Sequence, residues 1–255
     1  MNVKNLMGFT IGATDGEIGK VKDFYFDDIT WTIRYFVVET GSWLLNRKVL
    51  ISPEALLECD WTNETFPVNL TKEQIKKSPE IDTDQSVSRQ HEIELYAHYR
   101  WTDYWGGGIW SAGMGTSKST TPMSSRPMKE ALKNSKNTPN TKANNDPHLR
   151  SAKSVKSYNI HALDDTIGDV EDFIIDDSNW AIHYMVVNTG NWFPGKKVII
   201  SPDWIKEINW ETSEVTVNAS VEQVKNSPEY DVSKQLSPEY ESSLNDYYGR
   251  FNSHK

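Results

Sequence analysis

The residues best suited to chemistry are carboxylates that recur near polar turns in two parts of the chain. They are Asp15, Glu17, Asp23, Asp27 and Asp28, and then Asp164, Asp165, Asp169, Glu171, Asp172, Asp176 and Asp177. Such oxygens could bind Ca²⁺, but a calcium loop of the EF-hand type needs Gly at its sixth position and Glu at its twelfth, which these segments do not supply. We therefore expect turn-forming carboxylates, with a metal-dependent enzyme as the alternative. Asp23 and Asp172 lie in largely apolar segments, which favours bonds to backbone amides or to a cross-strand partner.

Other catalytic residue types show no productive arrangement. His91 and His98 lie seven positions apart. The sequence repeats itself at a shift of 149 positions, and Tyr240 and Tyr247 occupy the corresponding places in the second copy, which argues against metal binding. Cys59 corresponds to Ile208, and a position that accepts either residue is expected to be a core position. The chain also lacks a nucleophile elbow, a phosphate-binding loop and a dinucleotide fingerprint. The expectation is a protein that is not an enzyme, with no catalytic residue, cofactor or metal.

The elements that carry these residues occur twice. Residues 18–82 align without a gap on residues 167–231, at a constant shift of 149 positions, as between Trp31 and Trp180 or between Pro53 and Pro202. About half of the aligned positions are identical, and a period this long indicates a tandem duplication of a domain that can bury its own core. The ten Trp and eleven Tyr residues give small cores large apolar rings to bury.

Charge and composition divide the chain into three parts. Residues 106–147 are basic, rich in Gly, Ser, Thr, Asn and Pro, and nearly empty of aliphatic residues, which predicts a flexible linker. The predicted domains are residues 1–105, with a helical and aromatic tail, and residues 148–255, with a C-terminal helix. Both flanking parts are acidic and the net charge is −9, so nucleic acid is not expected as a partner.

The amino-terminal residues and the cysteine usage bear on localisation. The chain starts with MNVKNLMGF, which lacks the basic and apolar regions of a signal peptide, and no run approaches the length of a membrane span. The single Cys fits a reducing compartment. We expect a soluble, cytoplasmic protein.

Each copy is predicted to be mainly β. Short strands precede an Asp-Asp-x-x-Trp turn at 27–31 and 176–180, β-branched runs follow it, and a hairpin is expected at 59–69 and at 208–218. Ser-Pro at 52–53 and at 201–202 predicts short helical turns. Thr71 with Gln74 and Ser220 with Gln223 fit capping boxes, and last helices are expected at 88–99 and 237–248. Strands of this kind, with turn signals about every ten residues, suggest small closed barrels.

Aromatic residues in polar segments are the candidate binding residues. Trp43 and Trp192 each stand in a loop between Gly and basic residues, where a Trp either folds back over the barrel or anchors a partner. Tyr104 and Trp105 belong to an aromatic cluster after the first copy, which could fix the last helix to its barrel or join the two copies. Both alternatives remain open for each set.

Three segments and their second copies carry a family resemblance. They are Asp-Gly-Glu-x-Gly-Lys-Val-Lys-Asp at 15–23, Tyr-x-Val-Val-x-Thr-Gly at 35–41 and Lys-Val-Leu-Ile-Ser-Pro at 48–53. They resemble the PRC-barrel domain shared by the photosynthetic reaction centre H subunit and the C-terminal part of the ribosome maturation factor RimM. The arrangement is similar to bacterial tandem PRC-barrel proteins.

The resemblance implies two small six-stranded β-barrels that work by binding other proteins. The first hypothesis is therefore a non-enzymatic adaptor that docks on another protein or on itself. The alternative is a peripheral subunit, similar to the reaction centre H subunit, that contacts a membrane through its basic linker.

Overall fold

The computed structural model describes residues 1–79, 87, 89–101, 148–190, 196–234 and 236–252. The predicted linker at 106–147 lies outside this part of the chain. Residues Met1–Lys76 and His148–Lys255 form one compact unit, and the described part of Lys77–Pro147 belongs to a second unit. Among the described residues, none of the helices has both the length and the apolar character that a membrane span requires.

The first repeat builds most of a six-stranded mixed sheet. Its strands are β1 (Thr10–Ala13), β2 (Gly16–Asp27), β3 (Thr32–Glu39), β4 (Lys48–Ile51) and β5 (Thr65–Pro67), in the order β4-β3-β2-β1-β5. Neighbours are antiparallel except for the parallel pair β1 and β5. The sixth strand, β6 (Leu149–Ser151), comes from the second repeat and pairs antiparallel with β2.

The second repeat builds a sheet of the same kind. Its strands are β7 (Asn159–His161), β8 (Thr166–Ile175), β9 (Ile182–Asn188), β10 (Lys197–Ile200), β11 (Ile205–Asn209) and β12 (Glu214–Val217). Their order is β10-β9-β8-β7-β12-β11, with β7 and β12 parallel. Strands β7 to β10 lie at the positions of β1 to β4 after the shift of 149, and the hairpin expected at 208–218 is confirmed as β11 and β12. The prediction of a mainly β protein is also confirmed.

Short helices precede, separate and follow the strands along the chain. The 3-10 helices are Val3–Leu6, Ser42–Leu44, Pro53–Ala55 and Pro202–Trp204, and the α-helices are α1 (Lys72–Lys76), α2 (Arg89–Tyr99), α3 (Ala152–Val155), α4 (Val221–Lys225) and α5 (Pro238–Asn252). Ser52 and Ser201 cap the turns that follow them, as predicted. The capping box at Ser220 and Gln223 is confirmed in full.

Burial on both faces explains why the central strands have nearly continuous apolar sequences. In β3 the four residues from Tyr35 to Val38 are all buried, since both faces of the strand are covered. Close packing of β2 on β3 also requires a glycine. A Cβ on Gly19 would lie 1.9 Å from the carbonyl oxygen of Glu39, and a Cβ on Gly168 would lie equally close to that of Asn188. No side chain fits at either position without a shift of the backbone.

The two repeats pack against each other inside one unit through main-chain pairing. Ile33 N donates to Trp180 O at 2.9 Å, and Ile182 N donates to Trp31 O at 2.6 Å. Between these two bonds Thr32 and Ala181 form an antiparallel bridge. We call this contact, with the terminal segments that flank it, the inter-repeat interface.

The segment before the first strand of each repeat crosses to the other repeat. Asn2 forms an antiparallel bridge with Ile174 of β8, and Ser151 of β6 pairs with Tyr25 of β2. These two contacts are the same contact shifted by 149 positions. The arrangement is therefore a pseudo-two-fold, in which the leading segment of each repeat pairs with a strand of the other.

Candidate functional site

The carboxylates near the turns accept hydrogen bonds from backbone amides. Asp27 Oδ1 accepts bonds from the amides of Ile29 and Thr30 at 3.0 and 2.8 Å. Asp15 Oδ1 accepts the amide of Lys72 at 2.8 Å, and Asp164 Oδ1 does the same for Val221. Within the described residues, His, Cys, Asp and Glu do not gather into any group of three or more that could hold a metal ion. The turn-forming role is confirmed for Asp27. Asp15 and Asp164 instead bind amides 57 residues away, at the first residues of α1 and α4.

Asp23 binds the opposite repeat. Its carboxylate accepts the Ser151 hydroxyl at 2.5 Å and the Lys153 amide at 2.9 Å, besides the amide of its neighbour Phe24 at 2.7 Å. Burial raises the pKa of Asp23, while these hydrogen bonds lower it by a smaller amount. The expected backbone bonds are confirmed, and the donors come from the second repeat.

Asp172 makes the reciprocal contact. It is fully buried and accepts the amide of Lys4 from the first repeat at 3.1 Å. It also lies 3.3 Å from the ammonium of Lys156. Burial raises the pKa of Asp172, and the charge of Lys156 opposes that rise. Both carboxylates thus serve the inter-repeat interface.

The expectation that Cys59 is a core residue is wrong. Cys59 and Ile208 are each only half-buried, because Ile208 lies in the edge strand β11 and Cys59 lies outside the strands, next to the isolated bridge at Asp60. Burial, and then the charge of Asp177, raise the pKa of the Cys59 thiol. A thiol with a raised pKa stays protonated at neutral pH and is a poor nucleophile.

The tryptophans of the two Asp-Asp turns were not singled out in the sequence, yet they lie at the interface. Trp180, only 8% exposed, packs against Phe36 and Phe66 of the first repeat at ring distances of 4.9 and 5.9 Å. Trp31 is half-buried and stacks on Phe26 at 5.3 Å. Both adopt a positive φ, of 51° at Trp31 and 62° at Trp180. A large apolar residue ending a polar turn in both copies was the signal available in the sequence.

Trp43 stands on the loop between β3 and β4, which we call the Trp43 loop (residues 41–47). Its indole Nε1 donates to Ile18 O at 2.6 Å, and the Lys72 ammonium lies 5.3 Å from the ring centre. The side chain is nevertheless 36% exposed. The ring is thus fixed at one edge by the sheet and open to solvent at another.

Leu45 is the most exposed large apolar residue of this loop. It is 91% exposed, with φ at 55°, and Asn46 follows with φ at 56°. The left-handed region costs a non-glycine residue roughly 1–2 kcal/mol. Hydrogen bonds hold the loop in place, from Asn46 N to Gly41 O at 2.7 Å and from Thr40 Oγ1 to Arg47 O at 2.8 Å. The loop therefore holds an apolar side chain in water on a strained backbone.

The other predicted binding residues, Trp192, Tyr104 and Trp105, lie outside the described residues. The sequence still shows how the second repeat differs at this site. Pro194-Gly195 replaces Leu45-Asn46, and Val221 replaces Lys72. The exposed Leu and the cation beside Trp43 thus belong to the first repeat alone.

Comparisons with known proteins bear on the first repeat. The PRC-barrel domain model matches residues 1–75. A Deinococcus radiodurans protein, described only as an uncharacterized protein, is 34% identical to this chain over 79 residues. The match covers 31% of this chain and 28% of that relative, so the chain spans well under half of the relative's length. With its strands and matched residues taken together, the first 75 residues are a PRC-barrel domain.

Proposed function

We propose that this chain is a non-enzymatic adaptor that binds another protein through the Trp43 loop. We propose too that the second repeat is a PRC barrel like the first. The correspondence of β7 to β10 with β1 to β4, at the shift that the sequence shows, supports this second barrel. The single Cys supports work in the cytoplasm, a reducing compartment.

The observation that carries the proposal is the exposed Leu45 beside Trp43. An apolar side chain that is 91% exposed contributes almost nothing to folding, and its left-handed backbone costs free energy. Strained and exposed features of this kind concentrate at binding sites. Trp is also enriched among the residues that dominate binding energy in protein interfaces. The half-exposed ring of Trp43 and the neighbouring Leu45 would together form a compact anchor.

The substitution Leu45→Gly tests this proposal without disturbing the fold. Glycine adopts a φ of 55° without strain, so the variant should be at least as stable as the parent chain. Its loss of the side chain should weaken capture of the bound protein by about tenfold, the effect of roughly 1.4 kcal/mol at a modest hot spot. The measurement is affinity capture from the native organism with quantitative mass spectrometry, followed by titration of the captured protein.

Leu163→Ser is the matched control. Leu163 is also an exposed leucine, at 54%, but it belongs to the second repeat. Its counterpart in the first repeat is Thr14, which lies outside the Trp43 loop. We expect this variant to capture the same protein at the parent level. Undiminished capture by Leu45→Gly combined with Trp43→Ala would refute the role of the loop.

The basic linker supports the membrane-associated alternative. Lys and Arg close to an anionic bilayer contribute about 1 kcal/mol each. Sedimentation with vesicles that contain anionic phospholipid, at low and at physiological salt, separates the two candidates. Binding that persists in Leu45→Gly and is lost with salt would favour the membrane role over the adaptor role.

A further inference from the structure

The inter-repeat interface is built from pairs of equivalent contacts. The bond from Lys153 N to Asp23 has its counterpart in the bond from Lys4 N to Asp172. The bond from Ile33 N to Trp180 O is matched in the same way by the bond from Ile182 N to Trp31 O. Each contact maps on its counterpart by the shift of 149 positions. Such an interface is isologous, since the same surface of each repeat faces the other.

The bonds at this interface do not require that the two repeats belong to one chain. In the matched bonds the donors are main-chain amides, and the acceptors are main-chain carbonyls or an Asp that both repeats possess. Any pair consisting of a first and a second repeat satisfies them equally. Their number and geometry are thus unchanged when the partner repeat comes from another copy.

The site that receives the partner's tryptophan differs between the two repeats. Trp180 enters a site in the first repeat that Phe36 and Phe66 form. The corresponding positions of the second repeat hold Met185 and Val215, both fully buried. A second repeat therefore offers the tryptophan of its partner a smaller, aliphatic site. A pair of two second repeats would place both tryptophans in this smaller site, so the packing disfavours that pair.

The length of the connection leaves both arrangements open. Residues 77–147 separate the two halves of the compact unit. With α2 kept helical, the other roughly 60 residues would reach on the order of 200 Å if extended. Pairing within one chain then corresponds to an effective concentration of about 1 mM. The partner from a second chain competes once its own concentration approaches that value.

We propose that the inter-repeat interface also forms between chains, so that two copies exchange repeats. The first repeat of each copy binds the second repeat of the other, which closes the assembly at two chains and keeps every contact of the single chain. This self-association does not involve the Trp43 loop, and it holds whether or not the adaptor proposal is correct.

Cysteines at Thr32 and Ala181 report on this exchange. The two residues face each other across the pseudo-two-fold as a bridge whose flanking bonds make it a non-hydrogen-bonded pair. Cα atoms in such pairs are about 4.5 Å apart, within the range that a disulfide spans. Native Cys59 is replaced by Ser in every variant, so that only the introduced thiols react.

The experiment mixes two full-length chains, Thr32→Cys and Ala181→Cys. They are unfolded together, refolded at total concentrations from about 1 µM to 1 mM, oxidised mildly and run on non-reducing gels, a range that brackets the effective concentration within one chain. We expect a cross-linked dimer of the two different chains that rises from near zero to a major species. A chain carrying both cysteines serves as the control, since it should close an internal disulfide at 1 µM.

Each outcome decides the proposal. Absence of the mixed cross-link at the highest concentration, while the double-cysteine chain closes readily, overturns it. The same holds if Thr32→Cys alone cross-links as well as the mixture, because Thr32 would then face Thr32 in a pair of like repeats. Adding Leu45→Gly to both chains should leave the cross-link unchanged. Loss of the cross-link in that variant would place association at the Trp43 loop instead.

Discussion

The two repeats make the same contacts with different side chains. Asp23 and Asp172 occupy one position of the fold and bind one backbone amide each across the interface. Lys156 adds its ammonium to Asp172, whereas Met7 stands at the corresponding place in the first repeat. The main-chain pairing is therefore common to both repeats. The surroundings of each carboxylate are the part that differs.

The tryptophans of the Asp-Asp turns show the same division. Trp31 and Trp180 share a backbone conformation and a main-chain bond across the interface. Trp180 is 8% exposed among the aromatic rings of the first repeat, whereas Trp31 is only half-buried. Equivalent positions thus contribute unequal burial. The stability of the pair should depend more on the second repeat's tryptophan than on the first's.

The largest expected effect is that of Trp180→Ala. Removal of a buried tryptophan costs about 3–5 kcal/mol of unfolding free energy, because the cavity between Phe36 and Phe66 does not close. Trp31→Ala should cost roughly 1–3 kcal/mol, since its ring is already partly in water. Urea denaturation of both variants gives the comparison. Equal losses would show that the two turns are equivalent in energy as well as in backbone.

Asp172→Asn should destabilise the protein at pH 7 more than Asp23→Asn does. The first change leaves the Lys156 ammonium without its carboxylate at a site that is 24% exposed, which we expect to cost about 1–2 kcal/mol. Asp23→Asn keeps an oxygen that accepts the Lys153 amide and strands no ion pair of this kind. Chemical denaturation measures both. Lys156→Met, which copies the first repeat, should restore most of the loss in Asp172→Asn.

The pH dependence of the unfolding free energy shows whether burial or hydrogen bonding dominates the pKa of Asp23. Burial raises its pKa above the ordinary value of 3.8, so the folded state binds the proton more tightly than the unfolded state does. Its contribution to stability is therefore complete below pH 3.8 and is lost as the pH rises through the raised pKa. Between pH 4 and pH 7 the parent chain should lose stability relative to Asp23→Asn. A constant difference across that range would contradict the raised pKa.

The smallest effect concerns the turn before the first strand of each repeat. Gly8 has a φ of 88°, and Ser157 holds the corresponding position with a φ of 80°. Ser157→Gly should therefore stabilise the protein by about 0.5–1 kcal/mol, because glycine adopts this region without strain. Gly8→Ser should have the opposite sign, with open space for its Cβ. The melting temperature of each variant is compared with that of the parent chain. A lower melting temperature for Ser157→Gly would contradict the strain at Ser157.

The sequence predicted those features that depend on neighbouring residues. The shift of 149 placed the strands of the second repeat, and the cap at Ser220 follows from Gln223 three positions later. The partner of Asp23 was beyond reach for a physical reason. Its donor is a main-chain amide 130 residues away, and a backbone N–H leaves no mark in the sequence.

The candidate site shows the same limit. The sequence offered two roles for Trp43, and it could not show that the indole binds Ile18 O while a third of the side chain stays exposed. The left-handed φ of Leu45 could not be predicted, because Leu is among the residues least suited to it. Partner binding by Trp43, Trp192, Tyr104 and Trp105 stays a prediction.

The crossing of β6 onto β2 makes the two repeats unequal during synthesis. Strand β2 leaves the ribosome early, but Leu149–Ser151, which pairs with its last residues, is translated about 120 residues later. At 5–20 residues per second this is a delay of roughly 6–25 s. The nascent first repeat carries an open strand edge for that time, a surface prone to aggregation. When the second repeat emerges, the strands of the first repeat have already been translated and can pair with it at once. We therefore expect chaperones to engage the first half of the chain.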